Sequence, residues 1–94
     1  TKKIGELSEE DVNKTHILMG IISQVKKITT KKNNSEMAFI SLFDETGSVE
    51  IVVFPKDYQK YKNILLINKL IILKGKITQR EGKLGVILEN VKLF

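Results

Sequence analysis

The sequence lacks the residues on which most small catalytic and metal sites depend. It contains no cysteine and a single histidine, His16. Disulfides, thiolate nucleophiles and sulfur-ligated metals are therefore excluded, and one histidine makes no zinc site without several carboxylates around it. No glycine-rich phosphate loop occurs, and Asp44, Glu45 and Glu50 cluster only because a hairpin joins their strands. We expect no cofactor, no metal and no catalytic site, and His16 is expected only to begin a strand.

The sequence also lacks an apolar run long enough to cross a membrane. The longest such run, NILLINKLIIL, is interrupted by Asn68 and Lys69, and the opening TKKIGELSEED has no signal-peptide core. A cytoplasmic setting without membrane contact is the expected default. Because the chain starts at Thr1 without an initiator methionine and ends on Phe94 after a strand-like run, it is expected to be a segment of a longer protein.

The composition is that of one basic globular domain. With 94 residues, 41% of them hydrophobic and 29% charged, the chain suits a single core and is too apolar to be disordered. The net charge is +5, and residues 12–94 carry 14 bases against 7 acids. Such a balance favours a polyanionic partner, although many equally basic domains have no nucleic-acid role.

The first half of the chain predicts a polar lead-in followed by two strands. Residues 1–15 are the lead-in, with a short helix capped by Ser8. Residues 16–29, HILMGIISQVKKIT, predict one long strand with a bulge or bend at Gly20. Residues 37–44, MAFISLFD, then alternate between two faces. The core face is predicted to hold Ala38, Ile40 and Leu42, and the opposite face Met37, Phe39, Ser41 and Phe43.

The second half predicts a hairpin, a helix and two more strands. DETGS indicates a tight turn in which Gly47 has a positive φ, and VEIVVF a third strand whose Glu50 face is the wetter one. In PKDYQKYKNIL, Pro55 suits the first helical position, and Tyr58 and Tyr61 fall on one face that packs on apolar surface. KLIILKGKITQR and LGVILENVKLF, joined by a turn at EG, predict the last two strands.

The resulting order β-β-β-α-β-β predicts an all-β domain with one helix, the five-stranded OB-fold barrel, over residues 16–94. A closed barrel leaves no edge strands exposed in a chain this rich in isoleucine and valine. An SH3-like barrel is the competing arrangement, but it usually lacks a helix of this length at this point.

Two features coincide on the surface that OB-folds commonly use for oligonucleotides. This surface is the outer face of strands two and three, bordered by the loop between strands one and two. Aromatic rings on it stack on bases, and lysines near it attract phosphates. The predicted nucleic-acid contacts are Phe39, Ser41 and Phe43 on the face, Lys26, Lys27, Lys31 and Lys32 on the border, and Lys74, Lys76 and Arg80 on strand four.

Each predicted contact also has a simpler interpretation that the sequence leaves open. Phe39 can lie half-buried beneath the loop, Phe43 can pack beside the turn, and the lysines can form a solubilising face. Phe54, directly before the helix, is assigned to packing. The main open question is whether the Phe39 ring faces the groove or the core.

Several motifs combine along residues 16–90. They are the TTKK loop before MAF, the L-x-D-x-T-G-S-V-E hairpin, the VVFP step, the spaced tyrosines and KGK. Together they resemble the OB domain of the bacterial DNA polymerase III alpha subunit. The hairpin alone is weak, because the anticodon-binding barrels of class II aminoacyl-tRNA synthetases share it.

The resemblance implies a non-catalytic module of a replicative DNA polymerase that contacts the single-stranded template. Other domains of the polymerase chain and replisome subunits are its further implied partners. By position, Lys31, Lys32 and Phe39 become the candidate DNA contacts. In synthetase relatives the Phe39 position stacks on a base and the Glu50 position contacts one; here an acid at position 50 repels phosphate and suits only a base edge.

Two departures from the family bear on the site. The loop KKNNSEM lacks the glycine that is common there, and the short QREGK turn is expected to offer a ligand little contact. Two other functions remain open: a barrel that binds protein neighbours within the replicase, and an anticodon-binding domain.

Overall fold

The computed structural model describes all 94 residues, and its five strands close into a barrel in the order β1-β2-β3-β5-β4. Neighbouring strands are antiparallel except β3 and β5, which are parallel. The predicted five-stranded OB-fold with one helix is confirmed. The elements are β1 (Thr15–Thr29), β2 (Glu36–Asp44), β3 (Gly47–Val53), α1 (Pro55–Tyr61), β4 (Leu70–Arg80) and β5 (Lys83–Leu93).

Strand β1 is long because it pairs with two different strands, one after the other along its length. Its first half pairs with β4 and its second half with β2, and Ile21 belongs to both ladders. At Gly20 a Cβ atom would stand 2.5 Å from the carbonyl oxygen of Phe43, so only glycine permits this approach. The bulge predicted at Gly20 lies instead at Ser23, where the register with β2 shifts. Gly20 therefore allows the backbones of β1 and β2 to approach closely at Phe43, and the bulge lies three residues further along β1.

Alternation along the strands builds a single aliphatic core. The side chains that β2 and β3 bury are those predicted, and burying one of this size typically stabilises a fold by about 1.5–3 kcal/mol. Glu50, on the other face of β3, is exposed as predicted. The buried side chains of these two strands are Ala38, Ile40, Leu42, Val49, Ile51 and Val53.

Helix α1 covers one end of the barrel. Pro55 lies in its first turn and Tyr58 is buried, as the sequence predicted. Tyr61 is half-buried, and its hydroxyl donates a hydrogen bond of 3.1 Å to Asn90 Oδ1 on β5. The helix ends at Tyr61, so it is shorter than the helical pattern that extends to Leu65. No helix is long and apolar enough to span a bilayer.

Residues 1–14 cover the opposite end of the barrel. The backbone N–H of Lys2 donates to the carbonyl of Ile17 at 2.8 Å, and Ile4 is buried in the core. The short helix predicted after Ser8 is a single 3-10 turn, in which the Ser8 N–H donates to Asp11 Oδ2 at 2.9 Å. The segment contains two 3-10 turns, Ile4–Glu6 and Glu9–Asp11.

Two further local predictions are wrong. Phe54 does not pack: it is 45% exposed, because Val53 before it is buried and alternation turns the next side chain outward. Gly47 does not have a positive φ, since Gly82 is the only glycine that does. The β2–β3 turn is shaped by the carboxylate of Asp44 instead. The predicted turn before β5 is confirmed: two consecutive residues with positive φ, as in a type I′ turn, join β4 to β5.

Candidate nucleic-acid interface

A cleft of about 760 Å³ lies on the outer face of β2, β3 and β5. It opens towards the β4–β5 hairpin on one side and the N-terminal segment at one end. Its lining combines apolar, hydroxyl and charged side chains, a mixture suited to the bases and phosphates of a nucleic acid. The lining residues are Ile4, Leu7, Phe39, Ser41, Ser48, Val49, Glu50, Val52, Thr78, Arg80, Glu81, Lys83, Leu84 and Gly85.

Phe39 faces this cleft and does not belong to the core. Its ring is half-buried, and its register partners are Lys26 on β1 and Val52 on β3. Val52 pairs in turn with Ile87 on β5, which pairs with Lys76 on β4. Because paired residues put their side chains on the same face of a sheet, these five form one row across the barrel. The row has an apolar centre with the ring of Phe39 in it and a lysine at each end.

The next row along the strands is polar. Ser41 pairs with Glu50, Glu50 with Gly85, and Gly85 with Thr78. Gly85 has no side chain to cover the floor here, and a Cβ atom at this position would be in ordinary contact with the Thr78 hydroxyl at 3.5 Å. Hydroxyl and carboxylate groups beside an aromatic ring are placed to hydrogen-bond the edge of a base stacked on that ring.

The predicted basic residues separate into those near the cleft and those away from it. Lys26 and Lys76 end the Phe39 row, and Arg80 lines the cleft itself. Lys27 pairs with Ala38, whose side chain points inward, so Lys27 lies on the opposite sheet face from Lys26. Charge alone groups Lys26 and Lys27 in the sequence, but strand alternation puts their side chains on opposite faces of the sheet.

Lys31 and Lys32 occupy an exposed turn that does not line the cleft. The turn is tight: the Thr30 N–H donates to the Ser35 carbonyl at 2.7 Å, and the Ser35 N–H donates to Thr30 Oγ1 at 3.3 Å. Asn34 has a φ of 51°, the left-handed conformation in which asparagine replaces glycine most readily. Asn34 thus supplies the left-handed residue of this glycine-free turn.

Phe43 and Lys74 lie on a different surface, which we call the β1–β4 apolar face. Phe43 pairs with Ile21, and Ile21 with Leu70, while Lys74 pairs with Ile17. A shallow cavity of about 290 Å³ adjoins Ile17 and Lys74. Neither Phe43 nor Lys74 lines the cleft. The members of the β1–β4 apolar face are Ile17, Met19, Ile21, Phe43, Leu70 and Ile72.

The β4–β5 hairpin lines more of the cleft than its short turn predicts. The expectation of little contact with a ligand considered only the turn, and not the two 11-residue strands that carry it beyond the β3–β5 pairing. Arg80 and Lys83 form the last cross-strand pair before the turn. Lys83 was not predicted as a contact. Its position on the same strand face as Gly85 and Ile87 can be read from the sequence, but only the register between β4 and β5 shows that it lies at the cleft. The hairpin residues in the lining are Thr78, Arg80, Glu81, Lys83, Leu84 and Gly85.

Asp44 links the N-terminal segment to the β2–β3 hairpin by hydrogen bonds. Its Oδ1 accepts hydrogen bonds from the N–H and hydroxyl of Thr46 at 2.7 and 2.5 Å and from the Gly47 N–H at 3.1 Å. Its Oδ2 accepts from the Ile4 N–H at 2.9 Å. Desolvation alone would raise the pKa of Asp44, but these four hydrogen bonds outweigh it and lower the pKa to about 2. The carboxylate therefore joins the N-terminal segment to the β2–β3 hairpin as an anion.

Asp11 makes a second anchor, outside the cleft. It is 6% exposed, and its Oδ1 lies 2.8 Å from His16 Nε2 and 3.8 Å from Lys2 Nζ. The hydrogen bond from the Ser8 N–H, followed by that from His16, lowers the pKa of Asp11. His16 is the second residue of β1, one position after the strand begins, and its pairing with Asp11 is the part that local sequence reasoning missed. No group of three or more histidine, cysteine or acidic side chains is placed to hold a metal ion.

Comparison with known proteins supports the OB-fold and identifies the family. The family model described as an OB-fold nucleic acid binding domain, of the tRNA-anticodon type, matches residues 17–94. The chain belongs to this family. Its fold also matches that of the second OB-fold domain of replication protein A from Methanococcus maripaludis, with a TM-score of 0.74 and 16% identity over 99% of this chain and 93% of that one.

Relatives in sequence include DNA polymerase III alpha subunits of several bacteria. The chain is 40% identical over 72 residues to the DNA polymerase III subunit alpha of Borreliella burgdorferi, which is 77% of this chain and 6% of that protein. It is 35% identical over 82 residues to the same subunit of Bacillus subtilis, 86% of this chain and 7% of that protein. The resemblance inferred from the motifs is confirmed. The chain spans 6 to 7% of the length of these relatives.

Proposed function

We propose that this barrel binds single-stranded DNA in the cleft, as a non-catalytic module that positions the template strand of a bacterial replicative DNA polymerase. The observation that carries the proposal is the orientation of Phe39, whose ring lines the cleft and whose row across the sheet ends in Lys26 and Lys76. The similarity to segments of DNA polymerase III subunit alpha supports DNA as the polymer.

The chemistry of the cleft suits a weak contact that is largely independent of base sequence. A base stacked on an aromatic side chain contributes about 1–3 kcal/mol, and every base has a face to offer. Lys26 and Lys76 are available for phosphates, because the only ion pairs involve Lys2, Lys3 and His16. With one aromatic ring in the cleft, binding depends on a single stacking position and on salt-sensitive charge.

Fluorescence anisotropy with a labelled oligothymidylate over a salt series tests the proposal. Replacing Phe39 with alanine should weaken binding about five- to 150-fold, the equivalent of a stacking energy of about 1–3 kcal/mol. Phe54→Ala is the matched control, since Phe54 is also exposed but does not line the cleft. Absence of binding by the unmodified domain at low salt would refute the proposal, and so would an equal loss in both variants.

The anticodon-binding alternative makes a different prediction in the same assay. A domain built to read an anticodon should prefer RNA to DNA of the same sequence and should discriminate between bases. A cleft with one stacking ring and a polar row should bind oligomers of different base sequence within a few-fold of each other. Strong preference for one RNA triplet would favour the alternative.

A second candidate function, contact with another domain of the polymerase chain, is favoured by the β1–β4 apolar face. Three of its members are substantially exposed: Ile17 at 48%, Phe43 at 39% and Leu70 at 37%. Contiguous apolar surface of this kind commonly marks a protein contact. Ile17→Lys in the full-length chain should then expose the barrel boundary to limited proteolysis. An unchanged cleavage pattern would contradict this second function.

A further inference from the structure

The N-terminal segment forms one end of the cleft. Strands β3 and β5 pair over only three positions, from Glu50 to Val52, and then separate. The 3-10 turn Ile4–Glu6 packs against β3, with Ile4 buried in the core and Leu7, the next residue after the turn, half-buried. Both side chains line the cleft. At this end the floor of the cleft is therefore the N-terminal segment and not the sheet.

This end of the cleft is firmly held on the β2–β3 hairpin. The Gly5 N–H donates to Thr46 Oγ1 at 2.7 Å, next to the hydrogen bond from the Ile4 N–H to Asp44. A Cβ atom at residue 5 would stand 2.5 Å from the Thr46 carbonyl oxygen, so a glycine is needed for the approach. Leu7 is thus presented from a fixed backbone and not from a loose tail.

Two unpaired cations line the same cleft as Leu7. Arg80 and Lys83 face each other across the β4–β5 hairpin, line the cleft and take part in no ion pair. Like charges directly opposite on adjacent strands destabilise a sheet, and a bound anion relieves that repulsion. The acids of the cleft, Glu50 and Glu81, make no ion pair either. Apolar surface next to two free cations matches the base and phosphate of one nucleotide.

We propose that Leu7 forms the floor of a second base position in the cleft, with Arg80 and Lys83 binding the adjoining phosphate. The position is separate from Phe39: the partner of Phe39 on β3 is Val52, and Ser48 at the Leu7 end is four residues away, roughly 13 Å along the strand. One base cannot contact both. The inference rests on the proposed function, because it adds a nucleotide to the same strand of DNA.

Two substitutions of opposite effect test this second position. In the anisotropy assay, Leu7→Ala should weaken oligothymidylate binding about three- to tenfold through lost apolar contact. Leu7→Phe should tighten it about two- to fivefold, because an aromatic ring stacks on a base better than an aliphatic chain does. A purely structural Leu7 predicts no gain from phenylalanine, so this variant remains decisive even if Leu7→Ala fails to fold. Leu66→Ala, at an exposed leucine outside the cleft, is the control for leucine truncation and should bind like the unmodified domain.

The outcomes separate this inference from the proposed function. If the domain binds and Phe39→Ala weakens binding, but both Leu7 variants bind unchanged, the second position is wrong and the proposed function stands. If the unmodified domain does not bind at low salt, both are overturned. The effect of Leu7→Ala should also disappear with oligomers too short to reach from Phe39 to Leu7, and its persistence there would place the effect elsewhere.

Discussion

Substituting Asp44 with asparagine should destabilise the domain by separating the N-terminal segment from the β2–β3 hairpin. The carboxylate accepts four hydrogen bonds, three at Oδ1 and one, from Ile4, at Oδ2. An asparagine that keeps its oxygen towards Thr46 turns its amide NH₂ towards the Ile4 N–H, so two donors face each other. The change therefore removes the charge and one hydrogen bond while it leaves the size of the side chain unaltered.

The magnitude follows from the pKa of Asp44. A pKa of about 2 in the folded protein, against 3.8 for the free side chain, sets the upper limit of the effect. At 1.36 kcal/mol for each pKa unit the limit is ~2.4 kcal/mol, and partial solvent screening reduces the expected loss to about 1–2 kcal/mol. For a domain of this size that corresponds to a fall in Tm of roughly 4–15 °C.

The pH dependence has a definite sign. Because folding lowers the pKa of Asp44, its contribution is fully present above about pH 4 and is lost as the pH falls towards 2. Urea unfolding followed by circular dichroism should show Asp44→Asn as less stable at pH 7 and nearly equal to the unmodified domain at pH 2. Glu45→Gln is the control, since the Lys3–Glu45 pair is exposed on both sides and should matter little. Equal stability at pH 7, or a difference that persists at pH 2, would refute the reasoning.

Three further predictions test the fold and the cleft. Gly20→Val should prevent stable folding at ordinary temperature, measured by circular dichroism, because its Cβ would collide with the Phe43 carbonyl; a cooperative transition near the original Tm would contradict this. Gly82→Ala should cost only about 1 kcal/mol in urea unfolding, since its φ of 79° is unfavourable for alanine but no atom lies within 4 Å. Lys26→Ala should weaken oligothymidylate binding two- to threefold and reduce the slope of log affinity against log salt concentration by about 0.7. Lys27→Ala, on the opposite sheet face, should do neither, and equal effects of the two substitutions would contradict DNA binding on the Phe39 face.

Much of the fold is predictable because it depends on local pattern. Alternation in MAFISLFD identifies Ala38, Ile40 and Leu42 as core and puts Phe39 outside, and both statements are confirmed. The turn at Glu81 and Gly82 is equally local, since Gly82 readily adopts the positive φ that a two-residue hairpin turn requires. Gly47 was misjudged because a hairpin glycine usually serves φ, whereas here a carboxylate shapes the turn.

The cleft is less predictable, because its residues are brought together by register between distant strands. Lys83 lies opposite Arg80 only once the β4–β5 pairing is known. Leu7 belongs to a polar N-terminal segment to which the sequence pattern assigns no part in the site. Nothing near it in sequence indicates that it lines a cleft where β3 and β5 no longer pair. The four loop and border lysines, by contrast, form a conspicuous cluster in the sequence, yet none of them lines the cleft.

The two phenylalanines of β2 show why the two candidate functions do not compete for the same surface. Phe39 and Phe43 share one sheet face, as alternation predicted, but the barrel curves between them. Phe39 pairs with Lys26 and Val52 in the cleft, whereas Phe43 pairs with Ile21 on the β1–β4 apolar face. A strand of DNA on the first surface therefore leaves the second free to contact a neighbouring domain. Loss of DNA binding in Phe39→Ala alone, with altered domain contact in Phe43→Ala alone, is the pattern that this separation requires.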